Sequence, residues 1–130
     1  MWVASRPSAG ERLEEWSFVI VDPADRLLGG CGLHRISQRG GVAELGYWVR
    51  TSATRKGVAT RATRLLCDWG FQSQGLHRIE IVVDLDNQPS RRVAEKAGGI
   101  HEGTLRERLR QDNVWRDAAL YSILSSDVRT

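Results

Sequence analysis

The sequence is poor in several things, and each shortage removes a class of protein. No apolar run approaches the roughly 20 residues that cross a bilayer, and the N-terminus has no signal-peptide core. A cytoplasmic protein without a membrane partner is predicted. There are two cysteines, Cys31 and Cys67, both in apolar segments and neither at metal-ligand spacing from the three histidines. That pattern predicts buried free thiols and no metal, and it gives no activated thiol for an acyl-enzyme route. Lysine is nearly missing, 2 against 17 arginines, and no dense basic run occurs. A net charge of +3 therefore suits an anionic small ligand better than a nucleic acid. At 130 residues the chain has room for one core, and it shows no internal repeat or low-complexity linker.

The rest of the chain is organised around Leu45 to Thr60, LGYWVRTSATRKGVAT. It reads as a strand, a tight basic turn and the opening of a helix. Arg55, Lys56 and Gly57 precede Val58, Ala59 and Thr60, so small side chains stand where the first unpaired N–H groups of a helix point outward. Gly57 admits close approach of a bulky anion, and the helix dipole adds to the two cations. The turn is either a diphosphate site or a basic surface loop.

In chain order, residues 1–15 read as an irregular lead-in, with a remnant of helix around Glu11 to Glu15. Trp16 to Val21 is a β-branched and aromatic run that stops at Asp22-Pro23. Leu27 to Ile36 follows with three glycines in a strand pattern, which predicts a bulge or a close backbone approach. In Val42 to Val49, alternation puts Glu44, Gly46 and Trp48 on one face and Leu45, Tyr47 and Val49 on the other. These three strands form an antiparallel meander.

Val58, Ala62, Leu65, Leu66 and Trp69 then recur at helical spacing, with Arg64 and Asp68 as an i,i+4 pair, and Gly70 and Gly75 close the helix. Arg78 to Asp84 is a strand with Ile79, Ile81 and Val83 on one face. Asn87 caps a second helix that carries Pro89 in its first turn, Arg91 and Glu95 as a second i,i+4 pair, and Gly98-Gly99 at its end. His101 to Leu109 and Val114 to Leu124 flank the turn Gln111-Asp112-Asn113, with Glu102 and Arg106 expected to pair along the first of these strands. Residues 125–130 read as a tail. The order gives a mixed-sheet α/β domain over residues 16–124.

The words AELGYWV, RKGVAT, RIEIVVDLDN, the helix start NQPS, AEKAGGIHEGTLRE and RDAALYSIL stand in this order between Ala43 and Leu124, in a likeness that covers about Trp16 to Leu124. By them the chain resembles the GNAT superfamily of acetyl-CoA-dependent N-acetyltransferases, in its RimJ/RimL-type branch named for acetylating the N-termini of ribosomal proteins. The resemblance implies a mixed, mostly antiparallel sheet with two helices. It also implies acetyl-CoA as co-substrate and a primary amine, either a protein N-terminus or a small molecule, as acceptor, with direct attack in a ternary complex. It carries the pyrophosphate role onto Arg55, Lys56, Gly57, Val58, Ala59 and Thr60, although Thr54 replaces the family's usual Gln or Arg and removes one long donor.

By the same likeness Trp48 and Val49 form the edge that pairs with the pantetheine amides. Asn87 either holds that arm or caps its helix, and the two are compatible. Ser90 either donates to the departing sulfur or bonds backbone in the first turn. The amine must lose a proton before attack, for which Glu44 is the first carboxylate candidate and Glu107 the second. Tyr121 lines the acceptor side or packs in the core.

Full members of the family carry a further strand and helices before the residue matching Trp16, and here only fifteen residues precede it. The domain is therefore expected to be N-terminally shortened. Its exposed edge would invite pairing into a homodimer. A module that binds acyl-CoA with little transferase activity is the alternative function.

Overall fold

A computed structural model describes residues 2–7 (backbone only), 15–37, 39–50 and 57–127. Seven strands form one sheet in the order β1-β2-β3-β4-β5-β7-β6. They are β1 (Trp2–Pro7), β2 (Trp16–Val21), β3 (Leu27–Ser37), β4 (Val42–Val49), β5 (Arg78–Asp84), β6 (Ile100–Gln111) and β7 (Val114–Leu124). Helices α1 (Val58–Ser73) and α2 (Gln88–Lys96) lie side by side on one face, α1 over β3 and β4 and α2 over β5 and β7. Among the described residues no helix covers the other face, and no helix is long and apolar enough to cross a membrane.

The lead-in is not wholly irregular. Trp2–Pro7 pairs antiparallel with β2, from Trp2 opposite Val21 to Pro7 opposite Trp16. The open backbone edge of β2 supplies a template, and the Trp-Val start suits a strand. The proposed helical remnant at 11–15 lies almost entirely outside the described residues.

The meander β2-β3-β4 forms as its alternation predicts. The glycines of β3 are there for close approach. A Cβ on Gly29 would stand 2.2 Å from the Trp48 carbonyl oxygen, and one on Gly30 would stand 2.6 Å from Trp48 Nε1. The core lies between the sheet and the helices, where Ile20, Leu33, Leu45, Ile79, Ile81 and Tyr121 are buried. Trp69 of α1 meets Trp16 and Phe18 edge-on, at ring centroid distances of 5.2 and 5.1 Å.

Several expected pairs have other partners. Leu65, placed on the inner stripe of α1, is exposed, while Ala62, Leu66 and Cys67 are buried. Arg64 bonds the Lys96 carbonyl instead of Asp68, because the C-terminal carbonyls of α2 attract a cation. Arg91 and Glu95 both bind the Tyr121 hydroxyl, which accepts from Arg91 Nε and donates to Glu95. Tyr121 is thereby a core residue under α2. Glu102 binds Arg78 and Ser122, not Arg106. A bulge between His101 and Gly103 breaks the alternation on which the Glu102–Arg106 pairing rested.

Candidate active site

The sheet comes apart in its middle. Among the described residues β4 and β5 are the one parallel pair, and they pair only from Val42 opposite Arg78 to Glu44 opposite Glu80. Beyond Glu44, β4 stays with β3 as far as Val49 opposite Gly29, and β5 stays with β7 as far as Asp84 opposite Ala118. Two strands bound to different neighbours diverge, which leaves the β5-facing backbone of Leu45 to Val49 without a strand partner. A cleft of about 220 Å³ occupies the split, lined by Gly46, Tyr47, Val82, Asp84, Asn87 and Ser90 among others.

The two faces of the cleft differ in chemistry. On the helix side, Asn87 Oδ1 accepts from the Ser90 backbone N–H at 3.1 Å and so caps α2. It also lines the cleft, so the cap and the binding role coexist in one residue. Tyr47 reaches from β4 to α2, donates to the Ser90 carbonyl at 2.8 Å and lies 3.0 Å from Ser90 Oγ. Burial pushes the Tyr47 hydroxyl above the ordinary phenol range, so it stays protonated at neutral pH.

On the open face stands Glu44. His34 Nε2 is 3.5 Å from its Oε1, while Arg108 and Arg35 face its Oε2 at 3.4 and 3.9 Å. The His34 contact, with help from the two arginines, holds its carboxyl below the ordinary range against the cost of burial. Glu44 is thus ionised at neutral pH. Arg108 sits in a bulge of β6, where three residues stand opposite one between Leu105 and Leu109. Glu107 lies in that bulge with φ 49°, exposed, and is not among the residues lining the cleft.

At the cleft's outer end, Trp48 is 54% exposed on the open face, and Val49 is the last paired residue of β4. Arg55 and Lys56 lie outside the described residues. Gly57 is the N-cap of α1 in the left-handed region, with φ 72°, and a Cβ built there would meet nothing within 4 Å. The first intrahelical bond runs from Arg61 N–H to the Gly57 carbonyl, which leaves the N–H groups of Val58, Ala59 and Thr60 ahead of the ladder. No side-chain cap and no acidic residue occupy this turn. An anionic group fits such a place, and the unpaired backbone of β4 along the cleft fits an extended amide-bearing arm.

Asp84 is the acidic residue of the cleft, and Arg116 pairs with it and with Asp86. That pairing, led by the Arg116 hydrogen bond, holds the Asp84 carboxyl low and neutralises its charge locally. Cys31 and Cys67 are no rivals as nucleophiles, since burial pushes their thiols up to about 11 and about 12. Among the described residues no cluster could hold a metal ion.

The split parallel pair and a helix opened by a glycine without a side-chain cap both fall in the segments whose sequence carries the resemblance. Residues 1–100 match the acetyltransferase (GNAT) domain family. The chain belongs to that family. It is 39% identical over 120 residues to the probable N-acetyltransferase YjcK of Bacillus subtilis, covering 90% of this chain and 66% of that protein. It is 34% identical over 101 residues to the putative ribosomal N-acetyltransferase YdaF of the same organism, covering 78% and 55%. Among solved structures, Mycobacterium smegmatis RimJ in complex with CoA-disulfide superposes with a TM-score of 0.86 at 32% identity, covering 92% of this chain and 57% of that one. The chain thus spans less than two thirds of the length of these relatives.

Tyr47, His34 and Arg108 were not singled out in the sequence. Tyr47 had a signal, because alternation puts its hydroxyl on a buried face where it needs a partner. Arg108 had none, since its reach depends on a bulge whose positive-φ residue is Glu107 and not glycine.

Proposed function

We propose that the chain transfers an acetyl group from acetyl-CoA to a primary amine, a protein N-terminus or a small molecule, in a ternary complex. The observation that carries this reading is the split between β4 and β5, with hydroxyls on its helix side and an ionised carboxylate on its open side. The GNAT family and the RimJ-type likeness support it.

Acetyl-CoA, when bound, supplies an activated acyl carbon as a thioester. The N–H groups of Val58, Ala59 and Thr60 would hold the diphosphate, with Arg55 and Lys56 as neighbouring cations and Gly57 keeping the approach clear. The backbone of Trp48 and Val49, with the Asn87 amide, would hold the pantetheine arm. Ser90, bonded to Tyr47, would stabilise negative charge on sulfur from the helix side. Glu44, with His34, Arg35 and Arg108 around it, would bear on the acceptor amine from the open face. Exposed on its bulge, Glu107 would act, if at all, from the outer rim of that face.

The test is thiol release with a panel of amines and N-terminal peptides, beside heat stabilisation by acetyl-CoA. Turnover with any amine supports transfer. Stabilisation without turnover on the whole panel replaces it with the acyl-CoA-binding module, and neither response refutes both.

A further inference from the structure

His34 of β3 lies directly opposite Glu44 of β4 in the sheet register. Its ring crosses diagonally to the next residue on the same face of β4. A Cβ on Gly46 would stand 3.3 Å from His34 Cε1 and 4.0 Å from Nδ1, so the glycine leaves room for the ring to lie flat there. Gly46 is itself a wall of the cleft. The imidazole therefore has one nitrogen, Nε2, 3.5 Å from the Glu44 carboxylate, and its Cε1–Nδ1 edge against Gly46, a residue of the cleft wall.

Glu44 is ill placed to take a proton. Its Oε1 faces His34, and its Oε2 faces Arg108 from β6 and Arg35 from β3. A carboxylate among cations gives up basicity. Glu80, opposite Glu44 on β5, is bound by Arg78 and offers no substitute. At 3.5 Å the Glu44 carboxylate is an electrostatic neighbour of Nε2, and its charge favours the tautomer with the proton on Nε2 and a lone pair on Nδ1, which is the form a general base needs. The side chain of His34 is 36% exposed, open to an acceptor from solvent.

We propose that His34 takes the proton of the acceptor ammonium through Nδ1, with Glu44 as a positioning residue whose charge favours the proton on Nε2. This rests on the transfer reading above. In the step an N–H bond of the ammonium breaks and an Nδ1–H bond forms. The positive charge passes from the amine to an imidazolium facing the Glu44 carboxylate, and the amine lone pair is freed for attack.

Two measurements test it. In the resting protein, nitrogen NMR of labelled histidine at alkaline pH should show His34 with its proton on Nε2, and Glu44→Gln should mix the tautomers. A proton on Nδ1 in the parent overturns the proposal. In turnover, His34→Ala should lower kcat about 100-fold, within the range for general base catalysis, while CoA still stabilises the variant to heat as it does the parent. Added imidazoles should restore turnover in order of their basicity. His34→Ala within twofold of the parent, or a loss that no imidazole restores, overturns the proposal with the transfer reading intact. A parent that acetylates no amine refutes the transfer reading, and the role of His34 falls with it.

Discussion

Tyr47 and Ser90 tie the two halves of the split together: the Tyr47 hydroxyl donates to the Ser90 carbonyl at 2.8 Å and lies 3.0 Å from Ser90 Oγ. A phenol has one proton. With that proton on the carbonyl, Ser90 Oγ–H is the donor of the second bond in the resting protein, and it must turn from Tyr47 to donate to a departing sulfur. The Tyr47 bond to the Ser90 carbonyl holds the backbone of Ser90 while its hydroxyl makes that turn.

The pair therefore makes a kinetic prediction. Ser90→Ala and Tyr47→Phe should each lower turnover about tenfold with little change in CoA affinity, and the double variant should lose little beyond the larger single loss, because the two act as a unit. Tyr47→Phe should also cost about 1 kcal/mol of stability, the ordinary net worth of a hydrogen bond, read from denaturant melts. Fully multiplicative losses would separate the two residues.

Two glycines should respond in opposite ways. At Gly29 an added Cβ collides with the Trp48 carbonyl oxygen at 2.2 Å, so Gly29→Ala should destabilise or abolish the fold. At Gly57 the space is open, and the cost is the left-handed backbone alone, about 1–2 kcal/mol. Gly57→Val should stay folded and bind CoA at least tenfold more weakly, measured by calorimetry beside a thermal melt.

Much of this frame is legible in the residues, and what is not has identifiable causes. The meander, both helices, the Asn87 cap and the Asp112-Asn113 turn follow from local chemistry; both turn residues take positive φ, 52° and 63°, as a tight hairpin requires. The glycines of β3 announced close approach, and close approach is what Gly29 and Gly30 make. The side-chain network was not legible. Two bulges in β6 shift its register, so Glu102 meets Arg78 and Arg108 reaches Glu44, and no spacing rule carries across a bulge. β1 was missed because a six-residue strand owes its existence to the β2 edge beside it.

The Glu102–Arg78 pair sets an acid limit. Arg78 first, then Ser122, holds the Glu102 carboxyl at about 2 against an ordinary 4.5. A lowered carboxyl contributes stability that is complete above the unfolded value and lost as pH falls through the folded one. Stability should therefore fall from about pH 4.5 toward about pH 2, and Glu102→Gln should flatten that part of the profile. An unchanged slope in the variant would assign the acid loss to other carboxylates.

The central claim is that the opening turn of α1 and the β4/β5 split together hold the coenzyme. Its most direct measurement is a CoA titration of the folded chain followed by backbone amide NMR. The account predicts saturable shifts at Val58, Ala59, Thr60 and Asn87 that are lost in Gly57→Val. No shift at these four amides, or saturation at another surface that Gly57→Val leaves unchanged, would contradict it.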